Sequence, residues 1–212
     1  GLIETQEQLE DYRNRFSMWS SMQPDLGIGS VELALDESQD YYEDVIGNCT
    51  PDFYGGLSST LTYKNWSLLA QFTYSYGNDL IYQKDVTDMV FNSLANRSTS
   101  ILNASTADHF TGNPLSVYHT TNFLTNLNVY DASYLKLQSL SLSYALPAKY
   151  IKRFHLNNLS IYATASNLFT LTSYPGPDPA VSDDPYSVAG GGRDVSSYPT
   201  VRSYTLGIRL GF

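Results

Sequence analysis

Apolar and polar residues alternate along several stretches of this 212-residue chain. In "RSYTLGIRLGF", Tyr204, Leu206, Ile208, Leu210 and Phe212 are apolar, whereas Ser203, Thr205, Gly207, Arg209 and Gly211 are small or polar. Successive side chains of a strand point to opposite faces, so the segment predicts a strand with one apolar and one polar face. The same period runs through "FYGGLSSTLTYKNWSLLAQFTYSYGND". There Leu57, Leu61 and Tyr63 oppose Ser58, Thr60 and Thr62. After Lys64-Asn65, the set Trp66, Leu68, Ala70, Phe72, Tyr74 and Tyr76 alternates with Ser67, Leu69, Gln71, Thr73 and Ser75. Only Ser59 and Leu69 break the pattern. Lys64-Asn65 reads as a two-residue hairpin turn in which Asn supplies the positive φ. Tyr63 and Trp66 then become cross-strand neighbours on the apolar face, beside the tight turn.

Two more strands are expected. In "YLKLQSLSLSYAL" the apolar parity switches near Gln138 and Ser139, which calls for a bulge or a change of surroundings. In "NLSIYATASNLF" the apolar set is Leu159, Ile161, Ala163 and Ala165. The chain therefore divides into a loop region with a short helix (1–50), a hairpin (51–77), a long loop (78–132), a strand pair (133–169), a Gly/Pro/Asp loop (170–198) and a closing strand (199–212). The first helix is expected in "ETQEQLEDYRNR", where Thr5 and Gln8 have capping-box spacing. A second, within the long loop, is suggested by Val86, Met89, Val90 and Leu94 at helical spacing. The strands of the first hairpin match the ~9–11 residues that cross a bilayer at a tilt and exceed the ~5–6 typical of soluble sheets. Connections alternate short and long, which puts tight turns on one side and long loops on the other. That is the layout of an outer-membrane barrel. Five strands with an open edge do not close such a barrel, so the chain is expected to be the C-terminal part of something larger.

Composition narrows the classes. Twelve basic against 21 acidic residues argue against nucleic acid, whose binders carry basic patches. Eighteen tyrosines against nine phenylalanines favour surfaces with one apolar and one wet side, such as membrane interfaces or sugar-binding faces. Cys49 is the single cysteine, so no intrachain disulfide forms. No stretch approaches the ~20 apolar residues of a spanning helix, which leaves barrel strands untouched as a possibility. No apolar signal core is present, and an export signal is expected outside the chain.

Candidate chemistry is sparse. His109, His119 and His155 show no metal-ligand spacing, and no G-x-S-x-G elbow occurs. Asp36, Glu37, Asp40, Glu43 and Asp44 lack the glycine of a calcium loop. Asp178, Asp183, Asp184 and Asp194 share one loop and read as turn caps that keep it soluble rather than as a glycosidase pair. Asn48, Asn65, Asn96, Asn103 and Asn158 match the N-x-[ST] sequon, which matters only in a glycosylating secretory pathway. No catalytic residue, metal or cofactor is expected. Tyr174, Tyr186 and Tyr198, in or beside the last long loop, are candidates to stack on a sugar or a partner, or else to anchor that loop.

Three ordered blocks carry a resemblance. "ASNLFTLTSYPGPDP" resembles the NLF-T…Y-G-x-DP signature of the SusC/RagA family of TonB-dependent outer-membrane transporters. "SYPTVRSYTLGIRLGF" is similar to that family's terminal YP-x-x-R-x-[FY]-T-x-G-[ILV]-x-[LV]-x-F, and "IGNCTPDFYGGLSSTLTYKNWSL" to its IGN…GG…YK-x-[WF] segment. The resemblance implies an all-β fold, in which the chain supplies the last five or so antiparallel strands of a 22-strand transmembrane barrel with long extracellular loops carrying short helices. It implies an N-terminal plug, a SusD-like lipoprotein over the loops, and TonB acting through the part absent here. Oligosaccharides or peptides would be imported through the outer membrane of a Gram-negative bacterium, without catalysis. Leu206, Ile208 and Leu210 would face outer-membrane lipid, Tyr63 and Trp66 would sit at its interface, and the aromatic Phe212 would be the signal read by the barrel-assembly machinery. The alternative from another class is a soluble, Tyr-rich β-sandwich that binds carbohydrate. A secreted hydrolase ranks below both, since no catalytic constellation is found.

Overall fold

The computed structural model describes residues 2–15, 26–32, 34, 44–83, 99–103, 126–152, 156–180, 191–195 and 198–211. The chain divides into two compact units, Gly1–Gly47 with Ile81–Val129, and Asn48–Leu80 with Tyr130–Phe212.

In the first unit, α1 (Gln6–Arg15) starts at the expected capping box. The Gln8 N–H donates to Thr5 Oγ1 at 3.2 Å and the Thr5 N–H donates to Gln8 Oε1 at 3.1 Å, satisfying donors that a helix start leaves without partners. Leu9 and Tyr12, one turn apart, are buried with Ile3 and Leu26. The Ile3 backbone fixes this cluster by donating to Ser30 O at 2.9 Å and accepting from the Gly29 N–H at 2.7 Å. The helix expected around Val86 to Leu94 lies outside the described residues.

The second unit is dominated by one antiparallel sheet of β1 (Phe53–Tyr63), β2 (Trp66–Tyr76), β5 (Tyr134–Ala145), β6 (Asn158–Thr172) and β8 (Ser203–Gly211), in the order β1-β2-β5-β6-β8. Short strands β3 (Asp79–Tyr82), β4 (Val129–Asp131) and β7 (Arg193–Asp194) form a separate small sheet. A four-residue helix, α2 (Ala148–Ile151), lies in the connection from β5 to β6.

Two details differ from or refine the sequence reading. The positive φ of the β1–β2 turn falls on Lys64, at 53°, and not on Asn65. Asn65 is used otherwise: its Nδ2 donates to Ala145 O at 2.7 Å and its carbonyl accepts from the Ala145 N–H at 2.9 Å, lacing the hairpin to the end of β5. The parity switch in β5 is a bulge. Gln71 and Phe72 are adjacent on β2 yet pair with Ser139 and Leu137, so Gln138 is the extra residue. On β6 the shift is taken up beside Asn167, whose φ of 54° suits asparagine better than most residues.

Because the bulges absorb the switch, each face stays continuous across the sheet. One face carries the rows Tyr63–Trp66–Tyr144–Ile161–Ile208, Leu61–Leu68–Leu142–Ala163–Leu206, Ser59–Ala70–Leu140–Ala165–Tyr204 and Leu57–Phe72–Leu137–Phe169. The other carries Thr62–Ser67–Ser143–Tyr162–Gly207, Thr60–Leu69–Ser141–Thr164–Thr205 and Ser58–Gln71–Ser139–Ser166–Ser203. Hydroxyls pair across this second face, as Ser141 Oγ and Thr164 Oγ1 do at 2.8 Å. Gly207 is required there, since a Cβ would lie 2.4 Å from the Tyr162 ring. Among the described residues the sheet ends in two unpaired edges, β1 and β8.

Candidate membrane face and loop anchor

The apolar face is open to the surroundings. Leu206 is 78% exposed and Ile208 65%, and Leu57, Leu61, Leu142, Ile161, Leu171 and Leu210 are exposed as well. Monomers in water seldom leave so large a contiguous apolar surface uncovered. Aromatic residues bound it at both ends. Beside the tight turn, the Trp66 and Tyr144 rings lie 4.6 Å apart and Lys64 Nζ sits 5.2 Å from the Tyr63 ring. At the loop end, Phe53 stacks on Tyr76 at 5.0 Å and meets Tyr74 edge-on at 6.3 Å. Trp66 and Tyr76 are the ends of the 11-residue β2. At ~3.3 Å per residue and ~45° of tilt, the two aromatic rows stand about 23 Å apart along the normal, close to the ~25 Å apolar band of outer-membrane barrels. The sequence reading found only the Tyr63/Trp66 row. The second follows from the same hairpin register, which sets Phe53 opposite Tyr76, but the sequence reading did not carry that register to the far end of the strands.

The loop end of the sheet is fastened by buried charges. Lys136, on the hydroxyl face of β5, is 6% exposed, and Asp178, in the loop after β6, is 2% exposed. Lys136 Nζ donates to Asp178 Oδ2 at 2.6 Å, the Thr200 hydroxyl donates to the same oxygen, and the Ala180 N–H donates to Asp178 Oδ1 at 2.9 Å. Burial pushes the Asp178 carboxyl up, but these three donors and the Lys136 charge outweigh it and hold it below the usual carboxylate range. One carboxylate thus ties together β5, the loop after β6 and the approach to β8.

A second anchor lies nearby in the chain. Tyr174, 5% exposed, donates from its hydroxyl to Oδ2 of the buried Asp194 at 2.8 Å, and its ring meets Tyr130 edge-on at 6.4 Å. Gly176 packs against this ring, where a Cβ would come within 2.3 Å of it. Removing the hydroxyl by Tyr174→Phe withdraws a donor from a buried carboxylate and should cost about 1–3 kcal/mol of local stability. Faster hydrogen exchange in the backbone around Tyr174 and Asp194 is the expected result, and unchanged exchange would refute the anchor.

Also at the loop end, Asn48 of the "IGN" block accepts on Oδ1 from the Thr50 N–H at 3.0 Å and donates from its backbone to Asp79 Oδ2 at 2.9 Å. Gly77 takes a φ of 82° directly over Asp52, where no side chain fits.

The candidate residues therefore scatter by role. Tyr63 and Trp66 pair at the turn, and Leu206, Ile208 and Leu210 share the exposed apolar face with them. Tyr174 is an internal anchor, whereas Tyr198 is 83% exposed. Tyr186, Phe212 and the three histidines lie outside the described residues. Asp178 and Asp194 differ from the expectation of solvated turn caps: both are buried and partnered, although Asp178 also caps a turn through Ala180. Among the described residues, no three His, Cys, Asp or Glu side chains converge on a metal position.

No protein-family model matches the chain. Known relatives do. TonB-dependent receptor P3 of Formosa agariphila is 33% identical over 174 residues, which is 79% of this chain and 17% of that protein. TonB-dependent receptor SusC of Bacteroides thetaiotaomicron is 27% identical over 165 residues, 76% of this chain and 15% of that protein. Among solved structures, the RagAB peptide importer in its open-open state superposes with a TM-score of 0.64 at 27% identity, covering 84% of this chain and 19% of that one. A second structure, of the RagAB peptide transporter, gives 0.64 at 28% identity over 83% of this chain and 18% of that one. The chain spans less than a fifth of the length of the curated relatives it matches. Sequence and strand arrangement agree on one assignment: the chain belongs to the SusC/RagA family of TonB-dependent receptors, and it forms part of their β-barrel wall.

Proposed function

We propose that the whole protein imports oligosaccharides or peptides across the outer membrane of a Gram-negative bacterium, and that this chain is the C-terminal stretch of its 22-strand barrel. In this reading Leu206, Ile208 and Leu210 face lipid, Tyr63 and Trp66 sit at the interface on the turn side, and the hydroxyl rows line the interior. The observation that carries it is the continuous apolar face, with Leu206 78% exposed, set back to back with a face of serines and threonines. A soluble sugar-binding sandwich would cover that face with a second sheet. The barrel wall is a conduit and binding surface, not a catalyst. A SusD-like lipoprotein caps the loop side, and TonB acts through a plug outside this chain. The solved relative named as a peptide importer supports peptides as a substrate class, and oligosaccharides stand beside them on the family resemblance.

The test begins with detergent extraction of outer membranes and capture through an epitope on this segment. Mass spectrometry should identify one much larger polypeptide containing the segment, together with a surface lipoprotein. A free chain of this length in the soluble fraction would overturn the proposal.

A further inference from the structure

Both stems of the last loop reach the hydroxyl face of the sheet. Above the bulge that face continues in the row Gly56–Thr73–Lys136–Thr170, so Lys136 leaves β5 on the same side as Ser139, Ser141 and Ser143. It starts two residues inside the end of the strand, yet its side chain is only 8% exposed. What meets its ammonium comes from outside the main sheet. Lys136 Nζ donates to Asp178 Oδ2 at 2.6 Å, on the stem that leaves β6, and to Thr200 Oγ1 at 3.4 Å, on the stem that enters β8. Thr200 also shows where its stem turns. Ser203, paired with Ser166, lies on the hydroxyl face, and a strand continued three residues further would send Thr200 to the apolar face. Its hydroxyl lies at Lys136 Nζ instead. The chain therefore leaves the plane of the sheet and passes to the hydroxyl side, within reach of a side chain on β5. Asn167 marks the departure: pairing with β8 ends at Ser166, Asn167 takes a φ of 54°, and its Nδ2 donates to Val201 O at 3.2 Å.

We propose that the last loop is rooted inside the barrel mouth: its stems, 173–180 and 198–202, form a second layer on the lumenal side of β5 and β6, and Lys136 is the residue that positions them. The inference rests on the reading of the hydroxyl face as the barrel interior. Three observations carry it. One cation holds both stems, so neither swings out over the rim while the contact lasts. The contact is dry, with Asp178 2% exposed and Pro179 beside it buried, so it is unlike the surface ion pairs that water and salt readily loosen. The outgoing stem is tied again at its base, where Thr172 Oγ1 donates to Ser133 O at 2.8 Å and accepts from the Tyr174 N–H at 3.1 Å. Stacked layers stand ~10 Å apart, so the mouth is narrowed on this side by about that much. A solute passing this part of the wall meets the exposed Pro175, Pro177 and Ala180 of the stem rather than Lys136.

The full-length transporter, purified in detergent with the exposed Cys49 removed by Cys49→Ser, provides the test through the single-cysteine variant Ala180→Cys. A small maleimide should react with it readily and a large polyethylene-glycol maleimide slowly, because the stem stands within the mouth. Adding Lys136→Met frees the stems, and reaction with the large reagent should speed up by roughly tenfold or more, with little change for the small one. Adding Asp178→Leu to Lys136→Met replaces the ion pair by an apolar contact and should restore the slow reaction. Ser141→Cys, deeper on the same face, reports general loosening and should stay unreactive toward the large reagent throughout. Where Lys136→Met does not assemble, Thr200→Val removes one donor to Asp178 and should give a smaller rise. Equal rates for the two reagents at Ala180→Cys with Lys136 intact put the stem outside the mouth and overturn the proposal. So does a large-reagent rate that neither Lys136→Met nor Thr200→Val raises, or a rise shared by Ser141→Cys. Partition between membrane and soluble fractions is read separately: a soluble protein ends the barrel reading, whereas an outer-membrane protein with a freely reactive Ala180→Cys ends this inference alone.

Discussion

Leu206→Arg is expected to cost about 2–4 kcal/mol and to reduce the yield of assembled transporter in the outer membrane. Leu206 is 78% exposed on the apolar face, one row from the aromatic residues at the turn. A guanidinium there exchanges water for hydrocarbon, and its long stem recovers only part of the loss by reaching toward the interface. Thr205→Arg is the matched control. Thr205 pairs with Thr164 on the hydroxyl face, where an arginine keeps access to water in a barrel interior. Heat-modifiable mobility on gels and membrane yield should fall sharply for the first variant and little for the second. Equal losses would mean that the two faces had been assigned to the wrong solvents.

The second large effect concerns the buried pair at the loop end. Lys136→Met leaves the Asp178 carboxylate with the Thr200 hydroxyl and the Ala180 N–H but without a counter-charge, a change expected to cost about 3–5 kcal/mol. The double variant Lys136→Met with Asp178→Leu removes both charges and should recover much of that loss, because an apolar pair of similar volume avoids the desolvation of two ions. Thermal unfolding of the purified transporter and hydrogen exchange over residues 174–180 provide the readouts. A double variant as unstable as the single one would refute the account. The pH dependence has a definite sign. The folded carboxyl lies below its ordinary value, so its stabilisation is complete above the unfolded pKa of ~3.9 and is lost as pH falls through the lower folded value. Protection of this loop should therefore be the same at pH 7 and pH 5 and drop only under stronger acid. Loosening that begins above pH 5 would point to another group.

The two-faced strands were legible from sequence because apolar and polar residues alternate along each of them, with Ser59 and Leu69 as the exceptions in the first hairpin. The bulge was half legible: Leu137 and Leu140 cannot share a face without an extra residue between them, but a change of surroundings along β5 would give the same parity switch, and only the pairing decides. Turn geometry was only half legible. Lys64-Asn65 announced a hairpin, but which residue takes the positive φ depends on the turn type, and the Asn65 amide is spent on Ala145 of a strand far along the chain. The buried anchors were illegible. Asp178 lies 42 positions from Lys136, and nothing local distinguishes it from the aspartates around it. A lysine at a hydroxyl-face position of β5 was the one available signal, since a long cation on a wall of serines asks for a partner.

The two edges left unpaired among the described residues have a consequence for the segment taken by itself. Soluble sheets blunt their margins with proline, charge or a twist-inducing bulge. Here β1 has neither proline nor charge in its 11 residues, and β8 has Arg209 alone in its nine. Such protection is forbidden, because each margin must accept a neighbouring strand of the finished wall. Until then both are templates on which further copies can add in cross-β fashion, with exposed leucines and tyrosines to zip them together. The margins that make the sheet extendable into a wall are thus the same ones that make it prone to add copies of itself, and the isolated segment should form fibrous aggregate sooner than a soluble sheet of equal size.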